Sequence, residues 1–499
     1  MKRHGGALLS SIRIDRLSDR RYSVQLYMAL RELLLSGAFN IGDRMPATRT
    51  LALEIGVSRT TVIDAIDRLV SEGLLESRVG AGTFVSKTLA AQIRLSDSAQ
   101  GDVGAVAPPR LSRMTTRAAN AITSRSRLPH KSEPFITALP ALDAFPMAQW
   151  ARLSARHWRK GRDHIGGYGE PFGYGRLRSA IAQQLNAARG IKCDPEQIFI
   201  VNGAQHAFAT IGLMQVNPGE AIWFENPGAV GARNAFLACN ARLVPVYIDV
   251  EGFCVEDALE KEPDFRLAFV TPSHQQPLGL VMSLARRLAL LQAAKDADAM
   301  IVEDDYDGEF YYGEQPPPPL KSIDTQERVI YVGTFSKSLF PSFRLGYILS
   351  PKGLVESFER LFTTWQSGAP TFNQAIVADF MDEGFFATHV RTMRQIYKAR
   401  YEALVESADR IGEWVDLQPT GGGFHTTGFL RTEIEEADIV AAAAAAGVTT
   451  APLGRYAIAP YLKKGLVFGF GSTTPEDIRS GMETLGRAMS QLGKNRKLV

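Results

Sequence analysis

Apolar positions divide the chain into three stretches that differ in period. Between Tyr22 and Val85 they recur at helical spacing, with Val24, Tyr27, Met28, Leu30, Leu33 and Leu34 marking one face over Val24–Ser36. Gly37 stops that helix. A second helix is predicted over Thr48–Ile55, with Thr48 as its cap or first-turn residue, and Gly56 turns the chain. Ser58 caps a third helix running to about Glu72, and Gly73 ends it. Leu74–Ser77 and Thr83–Ser86 then flank Gly80-Ala81-Gly82 as a two-stranded wing. Two helices joined at Gly56-Val57 form a helix-turn-helix.

From about Ser86 to Glu133 the periodicity is lost. Pro108-Pro109 and five arginines from Arg110 to Arg127, set among Ser, Thr and Ala, read as an exposed basic linker too polar to bury a core. From Phe135 onward short apolar strands alternate with helices. The strands are Ile198–Asn202, Ala221–Phe224, Leu267–Thr271, Met300–Glu303 and Val329–Val332; the helical runs are Tyr174–Ala188, Ser283–Ala294 and Ala378–Glu406. That alternation predicts an α/β domain with a mostly parallel sheet. Ala441–Ala446 reads as a helix packed closely on a neighbour. The organisation expected is 1–88 as a DNA-binding domain, 89–134 as a basic linker and 135–499 as the body.

With 45% hydrophobic and 22% charged residues over 499 positions, collagen-like, wholly disordered and disulfide-scaffold chains are excluded. The formal net charge of +3 hides an asymmetry. Met1–Ala90 holds 13 basic against 9 acidic residues, Ala91–Pro134 holds 7 against 3, and the rest holds 36 against 41. A basic front end on a mildly acidic body points to an anionic partner for the front end. Cys193, Cys239 and Cys254 lack metal-ligand spacing and fit a reduced intracellular protein. No signal peptide and no membrane span are read, so a cytoplasmic location is expected.

The third helix opens Ser58-Arg59-Thr60-Thr61, whose N-terminal N–H groups and dipole suit phosphate. Arg59 can reach a guanine edge, the hydroxyls can bond phosphate or base, and Arg49 suits a backbone contact. Arg78 and the wing glycines suit approach to the minor groove. Singly each arginine is an ordinary solvated residue; together they argue for double-stranded DNA. The runs Gly42–Arg49, Gly56–Val62 and Glu72–Val85 resemble the winged helix of GntR-type bacterial regulators. The resemblance implies a palindromic or direct-repeat operator contacted by Arg49, Arg59, Thr60, Thr61 and Gly80, with Ser58 and Arg78 as further candidates.

The body offers the group types that pyridoxal phosphate (PLP) requires: an amine, a carboxylate for the ring nitrogen, a donor for the ring hydroxyl and an anion site. Lys337 lies in Gly333–Leu339 after a strand, and Arg344 follows seven residues later. Thr334, Ser336 and Arg344 can hold phosphate. Asp304 and Tyr306 stand at a strand's carboxyl end, where ligands sit in open α/β sheets. Asp304–Asp307 alone also fits a solvated acidic loop. No histidine set accompanies it in sequence, and no metal is expected. Asn202-Gly203-Ala204-Gln205 joins strand to helix and can cradle phosphate, while His274 alone reads as a structural hydrogen-bonder.

These spacings resemble fold-type I aminotransferases. Set behind a winged helix, they resemble the MocR-like (GabR-type) subfamily of GntR regulators over nearly the whole chain. The matching segments include Gly167–Gly173, Glu225–Gly228, Glu303–Phe310, Gly333–Tyr347 and Pro452–Tyr456. The resemblance implies a multidomain fold: a mainly α winged helix-turn-helix, then an α/β PLP-dependent transferase-like domain with large and small lobes. It implies Lys337 as the imine lysine, Asp304 and Tyr306 on the ring, Arg344 on the phosphate, and Arg455 on an effector's acidic group. Three departures stand out. Ala229 and Gln276 replace the aromatic residues of relatives, and Leu466–Phe470 lacks the arginine that dedicated aminotransferases use for a carboxylate.

The expected function is a PLP-dependent transcriptional regulator whose amino-compound effector displaces Lys337 to form an external aldimine. Two alternatives stay open: a regulator sensing PLP itself, and an aminotransferase with a fused DNA-binding domain. At most residual aminotransferase activity is expected. A homodimer is implied. Fully extended, a linker of about 48 residues spans up to roughly 160 Å, so reach does not limit domain swapping.

Overall fold

The computed structural model describes residues 12–78, 80–87, 112–122, 133–160, 165–313, 315–366 and 368–496. Contacts divide the chain into two compact units, Met1–Arg110 and Leu111–Val499.

In the first unit helices span Tyr22–Leu35, Thr48–Ile55 and Arg59–Ser71, followed by β1 (Leu75–Arg78) and β2 (Gly82–Val85). Leu26, Leu30 and Leu34 on the first helix meet Leu51 of the second and Val62, Ile66 and Leu69 of the third in one apolar core. The period of the apolar positions forces that packing. Ala47, with no side-chain bond, caps the second helix, so Thr48 is its first residue. Ser58 caps the third by accepting from Thr61 N at 3.1 Å. Gly56, at φ 75°, makes the left-handed turn between them.

The second unit is built on an eight-stranded sheet in the order β3-β10-β9-β8-β7-β4-β5-β6. Its strands are β3 (Ile198–Val201), β4 (Ala221–Asn226), β5 (Arg242–Asp249), β6 (Gly252–Phe253), β7 (Leu267–Val270), β8 (Met300–Asp305), β9 (Val329–Thr334) and β10 (Gly346–Leu349). β4, β5, β7, β8 and β9 pair in parallel, whereas β10 runs antiparallel between β3 and β9. Alternation along a strand feeds two cores. Trp223 stacks on Phe265 at 3.5 Å on one face, and Phe224 stacks on Phe269 at 5.0 Å on the other.

A smaller antiparallel sheet runs β11-β12-β14-β13, from β11 (Val415–Leu417), β12 (His425–Leu430), β13 (Ala451–Pro452) and β14 (Gly465–Gly469). Helix Glu436–Ala445 carries the alanine run, buries Ala443 and packs on helix Pro475–Arg496.

Two expectations need correction. The run Ala378–Glu406 is two helices, Thr371–Asp382 and Phe385–Ser407, broken at Gly384 with φ 77°. Periodicity continues across the break, but a left-handed residue cannot extend an α-helix. In addition, the linker is not structureless throughout. Arg113–Ala121 is a helix capped by Ser112, and it packs on helix Val230–Ala238 with Ala118 buried. Only a narrow alanine face is buried, which a search for large apolar residues passes over. Pro108, Pro109, Arg110, Arg125 and Arg127 lie outside the described residues, as does the N-terminal run Met1–Ser11.

Candidate functional site

On the winged helix, Arg49, Ser58, Arg59, Thr60, Arg78 and Gly80 are exposed and Thr61 is half-buried. Arg59 Nε lies 3.4 Å from Thr48 Oγ1, which ties the start of the third helix to the second. Arg78 lies over the Phe84 ring at 4.7 Å, and Gly80 turns the wing at φ 73°. The stretch before the second helix joins the wing as a third edge. Met45 N donates to Thr83 O and Val85 N donates to Asp43 O, each at 2.9 Å. This seats Arg44 against Gly82, where a Cβ would lie 3.0 Å from Arg44 Nε. Arg44 is a phosphate candidate that periodicity did not single out, because only the wing pairing brings it to this face. At the far end of the third helix, Glu72 accepts from Tyr27 and, at 3.0 Å, from Arg31 Nε, fixing that helix to the first.

In the second unit the sheet gathers the remaining candidates at one edge. The carboxyl ends of β3, β8 and β9 and the start of β10 meet there: Gly346 pairs with Val201 on one side and Thr334 on the other. A Cβ on Gly346 would lie 2.9 Å from Gly333 O and 3.3 Å from Gly203 Cα, so only glycine allows this approach. Arg344 adopts φ 52°, and its guanidinium carbon lies 3.8 Å from where a Gly203 Cβ would stand. The guanidinium therefore faces the start of helix Ala204–Gln215, whose first N–H groups form an anion site. Thr334 Oγ1 accepts from Ser336 N at 3.2 Å and shapes the turn that carries Lys337. Gln205 Nε2 donates to Gly231 O at 3.3 Å, so its side chain points to the neighbouring helix rather than to this cradle.

Lys337 Nζ donates to the Ala138 carbonyl at 2.6 Å and lies 5.8 Å from the Phe424 ring. Ala138 stands at φ 70°, a conformation a non-glycine residue adopts at a cost of about 1 kcal/mol or more. The strap holding it is fastened to the small sheet, since Gly469 N donates to Phe135 O at 3.1 Å. A Cβ on Gly469 would lie 1.9 Å from Ile136 O, so this glycine makes the strap possible. Sequence alone gave no signal for Ala138.

Asp304 and Asp305 point to opposite sides of β8. Asp305 Oδ2 is spent within the protein, accepting from Arg189 NH2 at 2.5 Å and Tyr331 OH at 2.6 Å, while its Oδ1 has no hydrogen-bond partner among the described residues. Asp304 is buried, and its Oδ1 has no hydrogen-bond partner among the described residues. Burial, then Asp305, Asp307 and Glu225, push its carboxyl well above the usual range, against the pull of Lys337. A buried carboxylate oxygen without a donor calls for a cationic N–H. The donor set near Lys337 thus fits a protonated pyridine ring with a phosphate held between Arg344 and the Gly203 helix start.

Tyr306 is engaged otherwise than expected. Its hydroxyl donates to the His274 carbonyl at 2.9 Å and lies 3.1 Å from His274 Nδ1. Nor is His274 isolated. Its Nδ1 meets Asp307 Oδ2 at 2.9 Å, its Nε2 meets Thr420 Oγ1 at 3.0 Å, and the His425 ring lies beside it, tilted, with centroids 4.7 Å apart. The sequence offers no histidine near Asp304–Asp307, yet the fold brings His274 and His425 to Asp307 from two other segments.

Behind the site, Glu225 accepts from Thr271 N at 2.9 Å, Thr271 Oγ1 at 2.7 Å and Gln275 Nε2 at 3.1 Å, and burial lifts its carboxyl to about 7. Ala229 is buried as the N-cap of helix Val230–Ala238, and Gln276 N donates to Thr271 Oγ1 at 3.0 Å.

Arg455 lies in the turn Leu453–Tyr456. That turn is clamped to the large sheet. Asn226 Oδ1 accepts from Ile458 N at 2.8 Å, and Gly228 N donates to Tyr456 O at 3.0 Å. Buried Arg233 donates to Ala457 O at 2.8 Å and Arg455 O at 3.1 Å. Arg233 sits on helix Val230–Ala238, the seat of the linker helix.

A winged helix joined to an aminotransferase-type α/β body is the domain arrangement of a class of transcriptional regulators. Residues 22–85 match the model of the bacterial regulatory proteins of the gntR family, and residues 143–454 match aminotransferase class I and II. The chain is 38% identical over 480 residues to the probable rhizopine catabolism regulatory protein MocR of Rhizobium meliloti, covering 96% of each. It is 28% identical to the pyridoxine biosynthesis transcriptional regulator PdxR of Corynebacterium glutamicum, covering 93% of this chain and 95% of the relative. Among solved structures, a Pyrococcus horikoshii kynurenine aminotransferase in complex with PMP superposes with TM-score 0.67 at 25% identity, covering 80% of this chain and 99% of that one. The chain belongs to the MocR-like subfamily of GntR transcriptional regulators. Among the described residues no helix is long and apolar enough to cross a membrane.

Proposed function

We propose that the chain is a PLP-dependent transcriptional regulator that binds operator DNA and responds to a small amino compound at the Lys337 site. The observation that carries this reading is the orphaned oxygen of buried Asp304, close to Lys337 and in the same unit as the Arg344–Gly203 anion cradle. When bound, PLP supplies an aldehyde carbon that condenses with primary amines. Lys337 is the amine that would hold that carbon, in competition with an amino compound. Asp304 keeps the ring nitrogen protonated. Arg344, Thr334, Ser336 and the first N–H groups at Ala204 and Gln205 would hold the phosphate beside Gly203, whose own N–H donates to Val201 O at 2.8 Å. Tyr306 flanks the ring oxygen, and Arg455 receives the effector's acidic group.

Occupancy of Arg455 strains or relaxes a turn that Arg233 fastens to helix Val230–Ala238, on which the linker helix rests. Effector binding thereby biases the seat of the linker, and through it the presentation of Arg49, Ser58, Arg59, Thr60, Thr61, Arg78 and Gly80 to DNA. A homodimer supplies the two winged helices that a repeated operator needs.

The name of the PdxR relative favours a second reading, in which PLP itself is the signal. Operator binding titrated with PLP alone, then with PLP plus a panel of amino compounds, separates the two. A response only to the second addition supports amino-compound sensing; a full response to PLP alone supports the other. Steady keto-acid release at enzymatic rates would instead make the chain an aminotransferase.

A further inference from the structure

The strap that crosses the Lys337 site is fastened at both ends and strained in the middle. At one end Phe135 is fully buried, packs edge-on against Phe468 at 5.3 Å and accepts from Gly469 N at 3.1 Å. Just before it, Thr449 N donates to Pro134 O at 3.2 Å, and Thr449 Oγ1 donates to Glu133 Oε2 at 2.6 Å. At the other end Ala141 N donates to the buried Tyr397 hydroxyl at 3.1 Å. Two residues of the strap are left-handed. Phe135, at φ 67°, is pinned by its ring and its carbonyl; Ala138, at φ 70°, has only a methyl group to hold it. Lys337 supplies the hold, because its Nζ donates to the Ala138 carbonyl at 2.6 Å. A hydrogen bond from a charged donor outweighs the strain of one left-handed residue, so this bond is of the size that decides the strap's conformation.

We infer that the strap is a latch that reads the state of Lys337. An unbonded lysine ammonium carries three hydrogens and can spare one for Ala138. Joined to the cofactor's aldehyde carbon, the same nitrogen keeps one hydrogen, and the other two leave with the aldehyde oxygen as water. The nitrogen is then planar and tethered to the cofactor, and the Ala138 carbonyl loses its donor. Ala138 relaxes to a negative φ, and the strap slackens between its two fastenings. An amino compound that takes over the carbon keeps one of its three ammonium hydrogens and returns two to Lys337, which latches the strap again. The fastening at Thr449 gives the latch an outlet. Thr449 precedes β13, and β13 runs directly into the turn Leu453–Tyr456 that carries Arg455. The state of the lysine and the occupancy of Arg455 therefore meet on one segment, which Arg233 ties to the seat of the linker helix.

This inference rests on the function proposed above. The test is hydrogen exchange of the full-length protein, read by mass spectrometry on the peptide covering residues 135–142. Pyridoxine phosphate is the control, since it carries an alcohol where PLP carries an aldehyde and cannot bond to the lysine. PLP is expected to speed exchange of the strap at least about tenfold over the cofactor-free protein, while pyridoxine phosphate moves it less than about twofold. Hydroxylamine, which strips the aldehyde from the lysine, returns exchange to the slow rate. Without any cofactor, Lys337→Met exchanges as fast as the PLP-loaded parent, because no donor is left. Ala138→Pro, whose φ is fixed at about −65°, gives the operator affinity of the loaded parent without cofactor. Lys337→Met carries the test alone if the proline variant does not fold. Equal exchange in Lys337→Met and the cofactor-free parent, equal acceleration by PLP and pyridoxine phosphate, exchange that stays fast after hydroxylamine, or a folded proline variant with the cofactor-free affinity overturns the inference. Failure of the parent to load PLP on Lys337, reported by borohydride trapping, condemns the proposed function instead. The cofactor-free comparison of Lys337→Met with the parent still decides the latch.

Discussion

Arg233→Met tests the connection between the effector turn and the body. Arg233 is 4% exposed, and its guanidinium donates to Ala457 O at 2.8 Å and Arg455 O at 3.1 Å. Hydrogen bonds from a charged donor contribute about 1.5–3 kcal/mol each, and both acceptors lose them together. Methionine keeps the apolar stem and removes a buried charge whose desolvation already lowers the arginine's pKa, which returns part of the loss. The balance is a destabilisation of about 2–4 kcal/mol. All five tryptophans lie between Trp150 and Trp414, so tryptophan fluorescence in a urea titration reports the second unit alone. Freeing the Arg455 turn also weakens affinity for an acidic amino effector about tenfold, equivalent to about 1.4 kcal/mol. Arg233→Lys recovers part of both losses, because one ammonium can reach one carbonyl. A methionine variant within about 0.5 kcal/mol of the parent, with unchanged effector affinity, would refute the clamp.

Four further outcomes follow from the same structure. Asp304→Asn removes the charge that matches a protonated ring nitrogen, so cofactor retention on gel filtration is expected to fall at least about tenfold; unchanged retention would count against Asp304 facing the ring. Arg59→Ala is expected to cost about 1–3 kcal/mol on one base step, whereas Arg44→Ala weakens all sequences alike and shifts the salt slope by about 0.9, both read by fluorescence anisotropy. Glu303, fully buried and lifted to about 7 by burial and then Asp305, keeps its proton in the folded state across the window from about 4.5 to 7. The folded state therefore binds more protons there, stability drops as pH rises through that window, and the difference between the parent and Glu303→Gln changes by about 3 kcal/mol in favour of glutamine from pH 4 to pH 8; a pH-independent difference in urea midpoints would contradict it. Ala118→Glu unseats the linker helix, leaving effector affinity intact while operator affinity no longer responds to effector.

Much of this was legible from residue pattern. The helix-turn-helix is local in sequence, with period, caps and glycines all agreeing, and its three helices fall within two residues of expectation. Strands buried on both faces, such as Ile198–Val201, show as bare apolar runs, and Asp304, Lys337 and Arg344 stand at or beside strand ends where topology brings them together. What escaped was set by long-range contact. Ala138 matters because Gly469 admits a strap 331 residues away in sequence. His425 reaches His274 and Asp307 because β12 carries it there, and Arg233 matters because its acceptors lie more than 220 residues further on. Tyr306 shows the limit from the other side: its place just after β8 did not reveal that its hydroxyl is bonded to His274.

The central claim, that this regulator works through PLP on Lys337, has a direct measurement. The purified protein is incubated with PLP, reduced with borohydride, digested and mapped by mass spectrometry. The account predicts a pyridoxyl group on the peptide carrying Lys337, and its loss when an effective amino compound is added before reduction. Label absent from Lys337, with only the absorbance of free PLP in solution, would contradict it.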